Sequence, residues 1–259
     1  MDCQSFDEQV VRRDPKVQKL LDQFVCVRIV QANGLDLTLF QFDYDLTFAA
    51  FMLNADRTIY GRYASRTGRR QTSQATGMES FAKALAAGLD LHKGYPANKS
   101  SLAGKQPLPV MHKIPEDYPS LGSRFGRPPA SGAMSDRNCI HCHQITGAQR
   151  REVEVQKRDL IPALKHPYPM PEIFGLGLDP KEKAKVSRIW ENTTAASDGF
   201  KVGDEIVALE GQPILSIADI QWVTHNATAP AKLKAEVLRG GKRIVLELTL
   251  AANWRKAPR

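Results

Sequence analysis

The stretch from Gly199 to Gly211 constrains the fold more than any other part of this sequence. It reads Gly-Phe-Lys-Val-Gly-Asp-Glu-Ile-Val-Ala-Leu-Glu-Gly, so glycines at both ends and at Gly203 bracket the segment Asp204–Leu209. Glycine permits the backbone conformations of tight turns, whereas β-branched residues favour strands. The pattern therefore predicts a strand held between two turns.

The residues around that stretch predict further strands and a helix. Ser216 followed by an acid at Asp219 is a helix start, and the helix should end near Asn226. Three segments have the composition or alternation of strands, the last two joined as a hairpin by Gly240-Gly241: Lys185–Trp190, Lys232–Leu238 and Arg243–Leu250.

This C-terminal segment resembles PDZ domains. Phe174-Gly175-Leu176-Gly177-Leu178 is similar to their carboxylate-binding Gly-Leu-Gly-Phe loop, and Gly199–Gly211 matches their Gly-Leu-x-x-Gly-Asp-x-Ile-x-x-Val-Asn-Gly. The resemblance implies a PDZ-like β-barrel or sandwich with two helices over residues 171–252, followed by a tail at 253–259. It also implies that the domain binds a polypeptide or its C-terminus as an added strand.

The resemblance also assigns residues to the binding groove. Backbone N–H groups of a glycine-rich turn form a cradle for a terminal carboxylate. That cradle would comprise Gly175, Leu176, Gly177 and Leu178. The helix that follows would present Ile217, Gln221 and Thr224 to the ligand.

The N-terminal segment, residues 1–95, resembles the thioredoxin-like α/β fold in the order helix, strand, hairpin, helix. The elements that carry the resemblance are a helix from Asp14-Pro15, a strand at Phe24–Val30, hairpin strands at Thr47–Leu53 and Thr58–Tyr63, and a helix at Thr76–His92. The whole chain is therefore expected to be of mixed α and β class.

Two features of the thioredoxin-like fold are incomplete here. Only one cysteine, Cys3, is present near the position of the usual Cys-x-x-Cys pair. Leu46 occupies the position where a cis-proline is usual. The first strand of the fold is also missing, so we expect that strand, and with it an export signal, upstream of Met1. Cys26 lies in the middle of the predicted strand and is expected to be a small buried core residue.

Residues 96–170 predict an extended linker, because their prolines and glycines interrupt helices and strands. Within it, Cys139-Ile-His-Cys142-His143 resembles the attachment motif of c-type cytochromes. By that resemblance Cys139 and Cys142 would bind haem c covalently and His143 would ligate its iron. The candidates for the sixth iron ligand are Met170, Met134 and His166.

Three other interpretations of the same residues stay open. Cys139 and Cys142 could close a disulfide, or they could hold zinc together with His141 and His143. They could also be ordinary thiols in a loop.

The bulk properties exclude some partners and leave the compartment open. The net charge of +8 is spread along the chain, and we find no DNA-reading helix or aromatic-basic sheet, so nucleic acid is not an expected partner. No apolar run approaches the roughly 18 residues that cross a bilayer. The first twenty residues show no signal peptide, which favours a cytoplasmic location, whereas haem attachment would require a periplasmic one.

Together these features predict a bacterial, extracytoplasmic protein. Its PDZ domain would bind or dock a polypeptide, and its haem site would serve a redox task. The alternatives are a non-enzymatic PDZ scaffold with a zinc or disulfide clip, and a thiol-disulfide oxidoreductase that uses Cys139 and Cys142. No Gly-Asn-Ser-Gly-Gly nucleophile motif occurs, so an enzymatic role, if present, is expected to be redox chemistry and not proteolysis.

Overall fold

The computed structural model describes residues 14–46, 48–64, 77–126 and 139–256. The α-helices in these ranges are α1 Pro15–Leu21, α2 Met78–Lys93, α3 Pro119–Phe125, α4 Cys142–Val155, α5 Pro162–Lys165, α6 Thr194–Ser197 and α7 Ile217–Asn226. The strands are β1 Ala49–Leu53, β2 Ile59–Ala64, β3 Leu176–Leu178, β4 Val186–Ile189, β5 Glu205–Leu209, β6 Gln212–Pro213, β7 Ala231–Arg239 and β8 Lys242–Leu250. Short 3₁₀ helices lie at Lys99–Lys105, Pro115–Asp117, Pro171–Phe174 and Trp254–Lys256.

These elements form two compact units that alternate along the sequence. The first unit takes its described residues from Met1–Val25, Phe48–Gln106 and Tyr168–Arg259. The second takes them from Cys26–Thr47 and Pro107–Pro167. The boundaries predicted at residues 95, 170 and 252 stay a prediction.

The C-terminal part of the first unit contains the strands and the helix that the sequence predicts. Strands β6, β5, β7 and β8 form one sheet in that order, and β3 pairs with β4 in a second, antiparallel one. The β7–β8 hairpin pairs in unbroken register from Ala231 with Leu250 to Arg239 with Lys242. Alternate residues of β7 (Leu233, Ala235 and Val237) are buried, as expected for a strand with one face on a core.

One apolar core lies under these two sheets. It includes the buried side chains of β3 and β4 together with residues of α7, β5 and β7. Trp254 also belongs to it: its ring centroid lies 4.9 Å from that of Phe174. The first residues of the predicted C-terminal tail are therefore packed against the domain.

The N-terminal elements of the first unit confirm part of the predicted order. Helix α1, the β1–β2 hairpin and helix α2 pack around a second core that includes Val17, Met52, Tyr60 and Phe81. The predicted strand at Phe24–Val30 is wrong, since residues 25–30 have no regular structure.

The predicted burial of Cys26 is wrong for the same reason. Its neighbours Val25 and Val27 are 95% and 80% exposed, and Cys26 itself is exposed. A strand gains stability from a paired neighbour, and the described residues place none beside this segment.

The mixed α and β class is confirmed, whereas the thioredoxin-like assignment of residues 1–95 is not. The described part of this segment contains a single two-stranded sheet, β1 with β2. Cys3, which stands in place of the Cys-x-x-Cys pair, lies outside the described residues.

The second unit contains regular structure that the linker prediction missed. Helix α4 runs for 14 residues, because prolines are absent between residues 130 and 161. Its buried Ile145 packs in a core with Ile140, Leu37 and Tyr44. On the same helix, Glu152 Oε2 lies 2.8 Å from His112 Nε2. The extended linker predicted for 96–170 is therefore interrupted by a packed helix.

Candidate peptide-binding groove

The loop before β3 is built around Gly175. Its φ of +88° lies in the left-handed region, where glycine is favoured, and its N–H donates to the carbonyl of Glu172 at 3.0 Å. A Cβ atom at this position would lie 2.0 Å from Thr193 Oγ1. Both the backbone conformation and the close packing therefore require glycine here.

Strand β3 presents one edge to β4 and one edge away from it. Leu176 and Leu178 point into the core and are at most 2% exposed. On the β4 side, Leu176 pairs with Ile189 and Gly177 with Arg188. Within the described ranges no strand pairs with the other edge of β3. Such an edge is the backbone arrangement to which an extended peptide adds.

Helix α7 begins at a capped N-terminus. The Ser216 hydroxyl accepts a hydrogen bond from the Ala218 N–H at 3.0 Å, as the sequence predicts. Ile217, Gln221 and Thr224 follow at the i, i+4 and i+7 spacing that places them on one face of the helix.

The three residues of that face differ in exposure. Ile217 is half-buried and packs against the domain core. Thr224 is fully buried, and its hydroxyl donates to the carbonyl of Ile220 at 3.0 Å. Gln221 is also buried, and its amide donates to the carbonyl of Tyr168 at 2.6 Å and lies 3.4 Å from Met170 Sδ. The segment before the loop therefore covers this helix face at Gln221.

The last turn of α7 holds the same segment through His225. The imidazole stacks on the ring of Tyr168 with 3.9 Å between centroids, and its Nδ1 accepts the Tyr168 N–H at 3.2 Å. Burial, with a smaller contribution from the positive charge of Arg255, lowers the pKa of His225 to about 4. The ring is therefore neutral at pH 7, as an acceptor at Nδ1 must be.

Asp219 anchors the start of α7 to the N-terminal hairpin. Its Oδ1 lies 2.8 Å from Lys105 Nζ and accepts the N–H of Arg62 at 3.2 Å. Its Oδ2 accepts the N–H of Leu215 at 2.9 Å. Burial lowers the pKa of Lys105, and the carboxylate of Asp219 opposes that shift.

A tryptophan of α7 strengthens this attachment. The indole N–H of Trp222 donates to the carbonyl of Gly104 at 2.8 Å, and the guanidinium of Arg62 lies 3.6 Å from the ring centroid. Sequence reasoning missed this arrangement, because Lys105 and Gly104 lie in the predicted linker. The only available signal was Asp219, an acid in the first turn of a predicted helix.

Asp204 is a structural carboxylate of the domain. Arg239 binds its carboxylate with two nitrogens, Nε to Oδ1 at 2.7 Å and Nη2 to Oδ2 at 2.8 Å. The N–H of Lys201 also donates to Oδ2, at 2.9 Å. Burial raises the pKa of Asp204, but these hydrogen bonds outweigh it and the net shift is downward.

The residues of the predicted haem motif lie in the second unit. Cys139 and Cys142 form no disulfide among the described residues, and the Cys139 thiol donates to Gln31 Oε1 at 2.9 Å. Burial raises the pKa of Cys142, the first residue of α4. His141 and His143 are exposed, and their rings stack with 5.7 Å between centroids.

The predicted axial ligands do not all belong to the described part of one unit. Met170 belongs to the first unit, His166 is an exposed residue of the second, and Met134 lies outside the described residues. In the described ranges, no three side chains of His, Cys, Asp or Glu are grouped as a metal site. None of the helices described there is long and apolar enough to cross a membrane.

Comparison with known families identifies the domain that carries the groove. Residues 152–250 match the family model described as PDZ domain. The C-terminal part of this chain is therefore a PDZ domain, as the sequence predicts.

The same part of the chain is similar to segments of curated periplasmic proteases. Over 76 residues the chain is 41% identical to a "Probable periplasmic serine endoprotease DegP-like" of Pseudomonas putida (strain W619). The matched segment is 29% of this chain and 16% of that protein. Over 73 residues it is 36% identical to "Periplasmic serine endoprotease DegP" of Escherichia coli (strain K12), covering 28% and 15%. The chain thus spans less than a fifth of the length of these relatives.

One solved structure is also similar to part of this chain. "HtrA-type protease AlgW with decapeptide" is 18% identical, with a TM-score of 0.28, over 46% of this chain and 39% of that chain.

These matches correct the predicted function. The haem- or redox-linked task assigned to Cys139, Cys142 and His143 is wrong, because the relatives are periplasmic serine endoproteases and not haem or redox proteins. Haem attachment and thiol exchange therefore have no part in the function proposed below.

Proposed function

We propose that this protein binds the C-terminal segment of a polypeptide in the groove between β3 and α7. The observation that carries the proposal is the edge of β3, which follows the Gly175 turn and pairs with no strand among the described residues. A peptide added to that edge would complete the backbone hydrogen bonds that β3 makes on one side only.

The terminal carboxylate of the ligand would lie against the turn at Gly175. Successive N–H groups in a turn with a left-handed residue form a concave site of positive partial charge, which suits a carboxylate. The N–H groups of Leu176, Gly177 and Leu178 are the donors that the sequence assigns to this role.

The last side chain of the ligand is expected to be apolar. Gln221 already donates its amide to Tyr168, so this helix face has little polar capacity left for a ligand. Ile217, half-buried on the same face, offers the ligand an apolar contact.

We place the protein in an extracytoplasmic compartment. The support is the description of its relatives as periplasmic. The N-terminal segment, for which a thioredoxin-like fold stays an interpretation, would serve the groove by holding α7: β2 and the 3₁₀ helix at Lys99–Lys105 both pack against that helix.

The test is a fluorescence anisotropy titration of the whole chain with labelled peptides that end in an apolar residue. Each peptide is prepared with a free and with an amidated C-terminus. We expect the amidated form to bind at least tenfold more weakly, because a lost charge-assisted hydrogen-bond set costs about 1.5–3 kcal/mol. Equal affinity of the two forms, or no binding by any free form, would overturn the proposal.

A further inference from the structure

The ladder that a ligand can form on β3 is short. The strand spans three residues, Leu176–Leu178, and beyond it the Asp179 N–H donates towards the β4 side, to the carbonyl of Lys185 at 2.8 Å. Pro180 has no N–H to donate. The N–H of Lys181 turns back to Asp179 Oδ1 at 2.9 Å. Recognition is therefore concentrated in the last two or three residues of a bound peptide.

Side chains of a docked strand alternate between two faces. If the last side chain of the ligand points towards α7, on the side of Leu176 and Leu178, the penultimate one points to the opposite face of the β3–β4 pair. Gly177 has no side chain on that opposite face. The side chains next to Gly177 therefore determine which groups the penultimate residue of the ligand contacts.

Those neighbours are Arg188 and Trp190. A Cβ atom at Gly177 would lie 2.9 Å from Arg188 Cβ and 3.1 Å from Cη2 of Trp190, the far end of the indole. The far end of the indole thus lies over the glycine. The guanidinium of Arg188 lies 4.9 Å from the centroid of the same ring.

We propose that Trp190 determines the specificity of the groove for the penultimate residue and that it selects an aromatic side chain there. The indole edge is reached over a glycine, so a second ring can pack on it without displacing a side chain of β3. Aromatic pairs prefer such edge and offset contacts. The ligand class is therefore a C-terminus with an aromatic penultimate residue, a statement that rests on the function proposed above.

The experiment compares free-carboxylate peptides that differ only at the penultimate position, which is tryptophan, alanine, glutamate or lysine. We expect the tryptophan peptide to bind about fivefold more tightly than the alanine peptide. In Trp190→Ala that ratio should fall to near one. In Val245→Ala, which shortens an exposed side chain of β8 in the other sheet, the ratio should be unchanged.

Trp190→Leu keeps apolar cover over Gly177 and is the substitute if Trp190→Ala does not fold. A tryptophan preference that persists in either folded variant would overturn the proposal. So would a preference for the glutamate peptide that disappears in Arg188→Ala, since that result would assign selection to charge. Amidated peptides distinguish failure of the peptide-binding function from failure of the role of Trp190. Equal affinity for amidated and free-carboxylate peptides contradicts the peptide-binding function. Equal affinity for peptides with different penultimate residues contradicts only the role of Trp190.

Discussion

Lys105 Nζ lies 2.8 Å from Asp219 Oδ1, and each side chain is about 1% exposed. This ion pair joins a 3₁₀ helix of the N-terminal half of the sequence to the first turn of the groove helix α7. Ions removed from water carry a large desolvation penalty, which their mutual attraction only offsets when both are present. The pair therefore matters most when one partner is removed.

We predict that Asp219→Ala lowers the free energy of unfolding by about 3–5 kcal/mol, because it leaves the Lys105 ammonium buried without its counter-ion. Lys105→Met alone leaves a buried carboxylate and should cost a similar amount. The double change Lys105→Met with Asp219→Ala should cost clearly less than the sum of the two single changes. Urea unfolding followed by tryptophan fluorescence measures this, because Trp190, Trp222 and Trp254 all lie in the first unit.

The control for this cycle is an exposed ion pair of the same domain. Lys232 and Glu247 lie 2.9 Å apart, with side chains more than 60% exposed. Removal of either partner should change the free energy of unfolding far less than removal of a partner of the buried pair, because water and salt screen exposed charges. If the losses of stability caused by the changes at Lys105 and at Asp219 were strictly additive, the predicted coupling of the buried pair would be contradicted.

Arg239→Lys should destabilise the domain by about 1–3 kcal/mol, since lysine cannot reproduce the two parallel hydrogen bonds to Asp204. The same guanidinium donates to the carbonyl of Gly199 at 2.8 Å, which lysine would also lose. Thermal unfolding of the variant, compared with Arg243→Lys at an exposed ion pair, measures the difference. Equal melting temperatures for the two variants would show that the ion pair of Arg239 with Asp204 contributes no more to stability than the exposed pair.

We predict that the folded domain loses stability in mild acid because of His225. Its folded pKa of about 4 is below the ordinary value of 6.5, so the unfolded chain binds the proton more readily than the folded one. The free energy of unfolding is then insensitive to this group above pH 6.5 and falls as the pH drops towards 4, by up to about 3 kcal/mol.

The measurement is a series of urea titrations between pH 4.5 and pH 7.5. His225→Gln should flatten the dependence, because it removes the group that titrates. His143→Gln, at an exposed histidine of the second unit, should leave the dependence as it is. An unchanged slope in His225→Gln would assign the effect to other groups.

Gly175→Ala should disrupt the carboxylate loop. The new Cβ would overlap the Thr193 hydroxyl and would stand at a φ of +88°, so both sterics and backbone strain oppose it. We expect at least tenfold weaker binding of a free-carboxylate peptide, together with a loss of stability of about 1–3 kcal/mol.

Gly241→Ala is the matched control. Gly241 also has a left-handed φ, +79°, but no atom lies within 4 Å of its would-be Cβ, and it turns the β7–β8 hairpin. It should therefore cost stability through strain alone and leave peptide affinity unchanged. An equal loss of affinity in both variants would show that the effect of Gly175→Ala is not specific to the carboxylate loop.

Local signals predict the C-terminal domain well. The hairpin around Gly240-Gly241, the N-cap at Ser216 and the strand after Asp204 all lie within about two residues of their predicted positions. Each depends on turn chemistry or alternation within a few residues, which the sequence displays directly.

Other outcomes depended on partners far away in the sequence. Phe24–Val30 has the composition of a strand, but strands form only with a neighbour to pair with, and no local pattern reports whether one is present. The motif at Cys139 to His143 resembles a haem-attachment motif, whereas the relatives of the chain are of another class.

The sequence by itself determined the PDZ domain, because its glycine turns, strand alternation and helix cap are local requirements of the backbone. Only the tertiary structure decided that Lys105, 114 positions before Asp219 in the chain, would be buried against it and hold the groove helix. A buried charge is stable only beside its counter-ion, and which residues meet in a core is settled by packing between distant segments.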